Sequence, residues 1–154
     1  MNLKLPRWRE LPDIDLYLEQ VLSLLDSYLL EKLPGKKKSV LTKTMINNYV
    51  KQKVIEPPVN KKYNKRTVAA LFLLACLKNV YPIADIARLI SIALRDDDIE
   101  TAYDRFCEHM EYYVQHVFED HEGPDEKGNL EYLMANVANS FACQLFVNKE
   151  HLNK

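Results

Sequence analysis

Apolar side chains recur at Ile14, Leu18, Val21, Leu25, Tyr28 and Leu29, the three-and-four spacing of one helix face. This predicts a helix over 13–32, opened by Pro12-Asp13 and closed by Leu33-Pro34-Gly35. Leu16, Leu22 and Leu24 widen the stripe, so burial on more than one side is expected. After a loop at 34–39, a second helix fits 43–53 with Thr42 as its N-cap. Met45, Ile46, Tyr49 and Val50 gather on one face, and Thr44, Asn47, Asn48 and Lys51 on the other. Pro57-Pro58 precludes helix over 54–63, where short apolar pieces suit a small hairpin.

Asn64 can cap a third helix over 65–79, carrying Val68, Leu71, Phe72, Leu74 and Ala75. Pro82 fits the first turn of a fourth, ending near residue 94, with Ile83, Ile86, Leu89 and Ile90 inward. Asp96-Asp97-Asp98 opens a fifth, to about residue 119, whose apolar line includes Tyr103, Phe106, Met110 and Val117. Gly123-Pro124 and Lys127-Gly128-Asn129 read as loop. A last helix over 130–147 aligns Leu133, Met134, Val137, Phe141 and Leu145, and the tail 148–154 is expected to fray.

The 154 residues are 47% hydrophobic and 28% charged, a globular composition for one domain or a module with a helical extension. No apolar run reaches the roughly 18 residues of a membrane span, and no signal-peptide pattern opens the chain. Cys76, Cys107 and Cys143 are odd in number and widely spaced, which points to a reducing compartment, the cytoplasm. The net charge of −1 conceals a sharp division. Residues 32–66 hold eleven Lys and Arg against the single acid Glu56, and the rest of the chain is correspondingly acidic. The bland reading is a solvated basic face. The excess spans several elements, however, which favours a local anion-binding surface.

A polar-faced helix beside a basic hairpin suits a nucleic-acid duplex, helix in the major groove and hairpin on the flanking phosphates. Thr44, Asn47 and Asn48 are the candidate base contacts, since Asn pairs with adenine in bidentate fashion. Lys36, Lys37, Lys38, Lys43, Lys51, Lys61, Lys62, Lys65 and Arg66 are the candidate backbone contacts. No catalytic constellation is visible, so an enzyme is not expected. Cys107 and His109, with His116 and His121 nearby, evoke a metal site, but Cys107 and His109 lie about 200° apart on one helix and cannot share an ion directly. No metal or cofactor is expected. The C-terminal aromatics, among them Tyr112, Tyr113, Phe118, Tyr132 and Phe146, fit core or dimer interface better than an effector pocket. An effector is compatible with them, but no residue pattern demands one.

The stretch Leu41-Thr42-Lys43-Thr44-Met45-Ile46-Asn47-Asn48-Tyr49-Val50-Lys51-Gln52-Lys53-Val54-Ile55-Glu56-Pro57-Pro58 resembles the recognition helix and first part of the wing of MerR-type regulators. Lys62-Tyr63-Asn64-Lys65-Arg66-Thr67-Val68 is similar to the end of that wing, and Tyr81-Pro82-Ile83-Ala84-Asp85-Ile86-Ala87-Arg88-Leu89-Ile90 to the helix after next. The likeness covers roughly residues 40–90. The whole chain is similar to the bacterial family catalogued as domain of unknown function 1836. Several features depart from the MerR pattern. A long helix and a lysine loop precede the match. Asn47-Asn48 replace an Arg-Tyr pair, Lys53 replaces a glycine, and two shorter amphipathic helices stand where a long coiled-coil helix would be.

The resemblance implies a mainly α fold: a MerR-like winged helix-turn-helix core with a small β-hairpin wing, a long N-terminal helix and C-terminal amphipathic helices. Residues 1–95 would form the DNA-binding domain and 96–154 a helical extension for dimerisation or effector response. The expected function is sequence-specific binding of double-stranded DNA by a homodimeric transcription regulator, with no membrane association. The alternative is a protein–protein adaptor that keeps the winged-helix scaffold without binding DNA.

Overall fold

A computed structural model describes residues 1–35, 37–119 and 126–153 (for 126–129, the backbone alone). The described chain is mainly helical, with one two-stranded sheet. In order, it holds a short 3-10 turn at Trp8–Glu10, β1 (Leu16–Tyr17), α1 (Leu18–Leu29), α2 (Lys43–Lys51), β2 (Lys62–Tyr63), α3 (Lys65–Leu77), α4 (Ile83–Ala93), α5 (Ile99–Glu119), α6 (Glu126–Val147) and a π-helical turn at Asn148–Leu152. Two compact units result: Lys4–His109, and Met110–Lys154 together with Met1–Leu3. The division falls inside α5 rather than at residue 95. The first half of α5 belongs with the N-terminal segment because the Tyr103 hydroxyl donates to the Pro6 carbonyl at 2.7 Å, and the Trp8 amide donates to Asp104 at 2.8 Å.

The first unit is built around α3. Val68, Ala69, Leu71, Phe72, Leu74 and Ala75 are buried, so α3 is apolar on most of its circumference and serves as the hydrophobic axis. On α1, Val21, Leu25 and Leu29 are wholly buried, and Tyr28 meets Phe72 of α3 edge-on at 5.8 Å. The long connection after α1 is pinned back on it. Asp26 accepts from the Ser39 hydroxyl at 3.0 Å and from the Val40 amide at 2.7 Å, while Lys78 donates to the Val40 carbonyl at 2.7 Å. With Val40 and Leu41 buried, the start of α2 is fixed against α1 and α3.

Two caps expected from sequence are present. Thr42 Oγ1 accepts from the Met45 amide at 3.2 Å, and Asn64 Oδ1 accepts from the Thr67 amide at 2.9 Å. We expect Asn64→Ala to lower stability by about 1 kcal/mol, read as a drop in the urea midpoint with an unchanged slope. Asp98 likewise caps α5 through the Thr101 amide at 2.8 Å. That bond, and a second one from the Thr101 side chain, hold its carboxyl below the usual carboxylate range.

Several boundaries differ from the periodicity. The first helix begins at Leu18, not residue 13, because Leu16 and Tyr17 pair antiparallel with Tyr63 and Lys62. The Tyr17 amide then finds Gln20 Oε1 at 2.9 Å, which sets the helix start. The hairpin over 54–63 is correspondingly reduced. Its tip is a tight turn with Val59 and Lys62 exchanging both backbone bonds at 3.0 Å, and the strand that pairs with β2 comes from the N-terminal segment. Pro82 stands at the N-cap of α4 rather than in its first turn.

Residues 127–129 are helical, since α6 starts at Glu126; the penalty for one glycine in a helix is only about 1 kcal/mol. The expected Gly123-Pro124 loop lies outside the described residues. The tail does not fray, because Asn148–Leu152 continues as a π-helical turn with Leu152 buried. In the second unit the Tyr132 hydroxyl donates to the Val117 carbonyl at 2.6 Å, joining α6 to the end of α5. Leu130, Leu133, Met134, Val137, Phe141 and Leu145 share one face of α6 at helical spacing, and all of them, with Phe146, are exposed.

Candidate nucleic-acid interface

Helix α2 separates its faces cleanly. Ile46 and Tyr49 are buried in the first unit, and burial pushes the Tyr49 phenol up from its ordinary value. Thr44, Asn47, Asn48, Lys43 and Lys51 are exposed, so the structure brings the three candidate base contacts onto one solvent face. Met45, expected inward, is exposed, and its sulfur lies 4.0 Å from the Lys78 ammonium. Helix α2 thus buries a narrower face than the spacing implies, and more of its surface is open to a ligand.

The end of α2 is a Schellman motif. The Lys53 amide bonds the Val50 carbonyl at 3.0 Å and the Val54 amide bonds Tyr49 at 3.0 Å. Lys53 therefore takes φ of 60°, a left-handed conformation that costs a side-chain-bearing residue about 1 kcal/mol and that glycine adopts freely. The chain then runs to the wing turn, where Asn60 and Lys61 have φ of 52° and 65°. Positive φ at both central residues marks a type I′ turn, whose twist matches that of the flanking strands. The turn projects Lys61 and leaves Val59 71% exposed. Lys62 sits with its ammonium 4.9 Å from the centre of the Tyr17 ring.

The other basic candidates differ in setting. Lys38 is exposed and Lys37 half-buried, while Lys36 lies outside the described residues. Lys37 is close enough to Lys78 to depress its ammonium, although burial is the larger cause. Arg66 is exposed in the first turn of α3. Lys65 is engaged within the fold: its ammonium bonds Asp13 at 2.8 Å and lies 4.8 Å over the Trp8 ring. The first turns of α2 and α3 contain cations and no acid. That inverts the usual preference, because the positive end of the helix dipole favours an anion there. A phosphate at either end would meet both the orphan amides and the lysines.

Among the described residues, no three His, Cys, Asp or Glu side chains gather as a metal site. Cys107 is buried with its thiol 3.6 Å from the Pro6 carbonyl, whereas His109 is exposed. His116 stacks on Tyr112 at 3.9 Å, and His121 lies outside the described residues. Burial, and secondarily the neighbouring Cys107, pushes the Cys76 thiol up to about 12, so it is a poor nucleophile. Cys143 is exposed. The strand at Leu16–Tyr17, which ties the wing to the N-terminal segment, has no signature in the sequence, because two residues are too few for any period to register.

These elements define a small, mainly helical domain carrying a two-stranded sheet and a basic, polar-faced helix. Residues 6–106 match the family described as Domain of unknown function (DUF1836), and the chain belongs to that family. No curated protein matches the chain, and no solved structure does. No described helix is long and apolar enough to cross a membrane.

Proposed function

We propose that this chain is a sequence-specific DNA-binding protein, a transcription regulator of MerR-like winged-helix type that acts as a homodimer in the cytoplasm. The observation that carries the reading is α2: Ile46 and Tyr49 anchor it, while Thr44, Asn47 and Asn48 face solvent between Lys43 and Lys51. A helix so presented fits the major groove, and Lys61, Lys62 and Arg66 then serve the flanking phosphates. Lys65, held by Asp13, takes a smaller part than its position in the sequence implies. Selection of bound duplexes from a random pool, followed by sequencing, tests the reading. A recurrent sequence supports it, and an unenriched pool rejects it.

Asn47 and Asn48 supply the specificity. A good bidentate pair discriminates by about 1–3 kcal/mol, so Asn47→Ala and Asn48→Ala should each reduce preference for the selected site over random duplex by roughly tenfold. Both side chains are exposed, so the melting temperature should hardly move. Full retention of preference in both variants would remove the base-reading role.

The dimer rests on the second unit. Tyr112, Tyr113, Val117 and Phe118 of α5 and seven large apolar residues of α6 are 41–67% exposed, more large apolar surface than monomeric proteins usually leave in water. A second copy would cover it and pair two recognition helices for a two-fold site. Sedimentation equilibrium at micromolar concentration should give twice the 18.0 kDa chain mass. A clean monomer would leave this patch to a different protein and favour the adaptor reading.

A further inference from the structure

The first unit contains an apolar cavity of about 620 Å³, within the range of roughly 300–1,000 Å³ typical of small-molecule sites. It is a cleft open to solvent on one side, with Lys53, Glu56 and Arg66 exposed at its mouth. Ala70 and Leu73 of α3, Leu89 and Ile90 of α4, and Ala102 and Phe106 of α5 line it. Leu89 and Ile90 carry the inward pattern of α4 yet remain half-buried, because they face this space. Charged residues of the lining are Lys53, Arg66 and Glu56, all exposed at its edge. The rim is therefore net positive by one charge over an otherwise apolar interior. Lys53 occupies a left-handed position that would be less strained as glycine, so a lysine there adds a cation to the rim against its own backbone preference.

We propose that this cavity binds a free amphipathic monocarboxylate, its apolar body between α3, α4 and α5 and its carboxylate at Lys53 and Arg66. One anionic group matches the rim's single excess charge, and Glu56 disfavours a second. Arg66 is also a proposed phosphate contact, so the ligand and DNA would compete for it, and the test is made without DNA.

Calorimetric titration with sodium decanoate, decanol and decyltrimethylammonium, each below its micellar range, separates the contributions. Decanoate should bind saturably at one per chain, decanol about tenfold more weakly, and the ammonium not measurably. Ala70→Phe should fill the cavity and abolish binding of both decanoate and decanol. The double variant Lys53→Gly/Arg66→Gln should weaken decanoate about tenfold and leave decanol unchanged. Lys53→Gly alone should match or exceed the wild-type melting temperature, which separates lost charge from lost fold. If Ala70→Phe fails to fold, the Lys53 and Arg66 variants decide.

The proposal is overturned if decanoate does not bind, if decanol binds equally well, or if the filled variant binds as before. Binding only to phosphatidylglycerol vesicles would mean a membrane surface in place of a free ligand. A shift in sedimentation mass on filling the cavity would mean that a second copy occupies it.

Discussion

Replacing Lys61 and Lys62 together by alanine is expected to weaken duplex binding about sixtyfold near 0.1 M salt and to flatten its salt dependence. Each lysine on a phosphate releases about 0.9 of a counterion, which near 0.1 M corresponds to roughly eightfold in affinity per contact. The slope of log K against log salt should fall in magnitude by about 1.8. Because phosphate contacts are blind to sequence, selected and random duplexes should weaken alike. The fold should tolerate the change. Alanine keeps the same Cβ at the left-handed Lys61 position, and Lys62 loses only its contact with the Tyr17 ring, worth about 0.5–1 kcal/mol. Measurement of affinity over a salt series gives both numbers. An unchanged slope would show that the wing does not meet DNA.

Phe72→Ala is expected to cost about 3–5 kcal/mol in stability. Phe72 is fully buried at the centre of α3, and its removal also ends the edge-on contact with Tyr28, which contributes about 0.5–1.5 kcal/mol beyond burial. Set against the roughly 5–15 kcal/mol of a typical domain, the loss takes a large share of the total. Urea titration followed by circular dichroism reads it. A double cycle with Tyr28→Ala isolates the ring pair, since residues in contact are not additive. A loss below about 1 kcal/mol would mean that α3 is not the axis of the core.

What the sequence made legible was local. Thr42 and Asn64 cap as expected because capping depends on a side chain and the amide three residues on. The apolar face of α3 was plain because Val68, Leu71, Phe72 and Ala75 repeat at helical spacing. The polar face of α2 followed from the same geometry. Long-range pairing was not legible. Leu16 widens the stripe of the first helix in sequence, and only the partner strand at Lys62–Tyr63 takes it and Tyr17 out of that helix.

Met45 shares the periodicity of Ile46 and Tyr49, yet no neighbouring element covers it fully. Lys65 resembled its basic neighbours until Asp13 and Trp8 were placed beside it. The cavity is a property of how α3, α4 and α5 splay, to which no residue pattern is sensitive. Phe141 and Leu145 share the apolar line of α6 in sequence, yet both are exposed.

The central claim is that α2 reads duplex DNA in a sequence-dependent way. A fluorescence-anisotropy titration of the most enriched duplex, beside a duplex of the same composition in scrambled order, tests it most directly. The account predicts that the enriched duplex binds at least about a thousandfold more tightly at physiological salt, the lower end of the usual specificity ratio. Equal affinity for the two duplexes, or no binding to either at low salt, would contradict it.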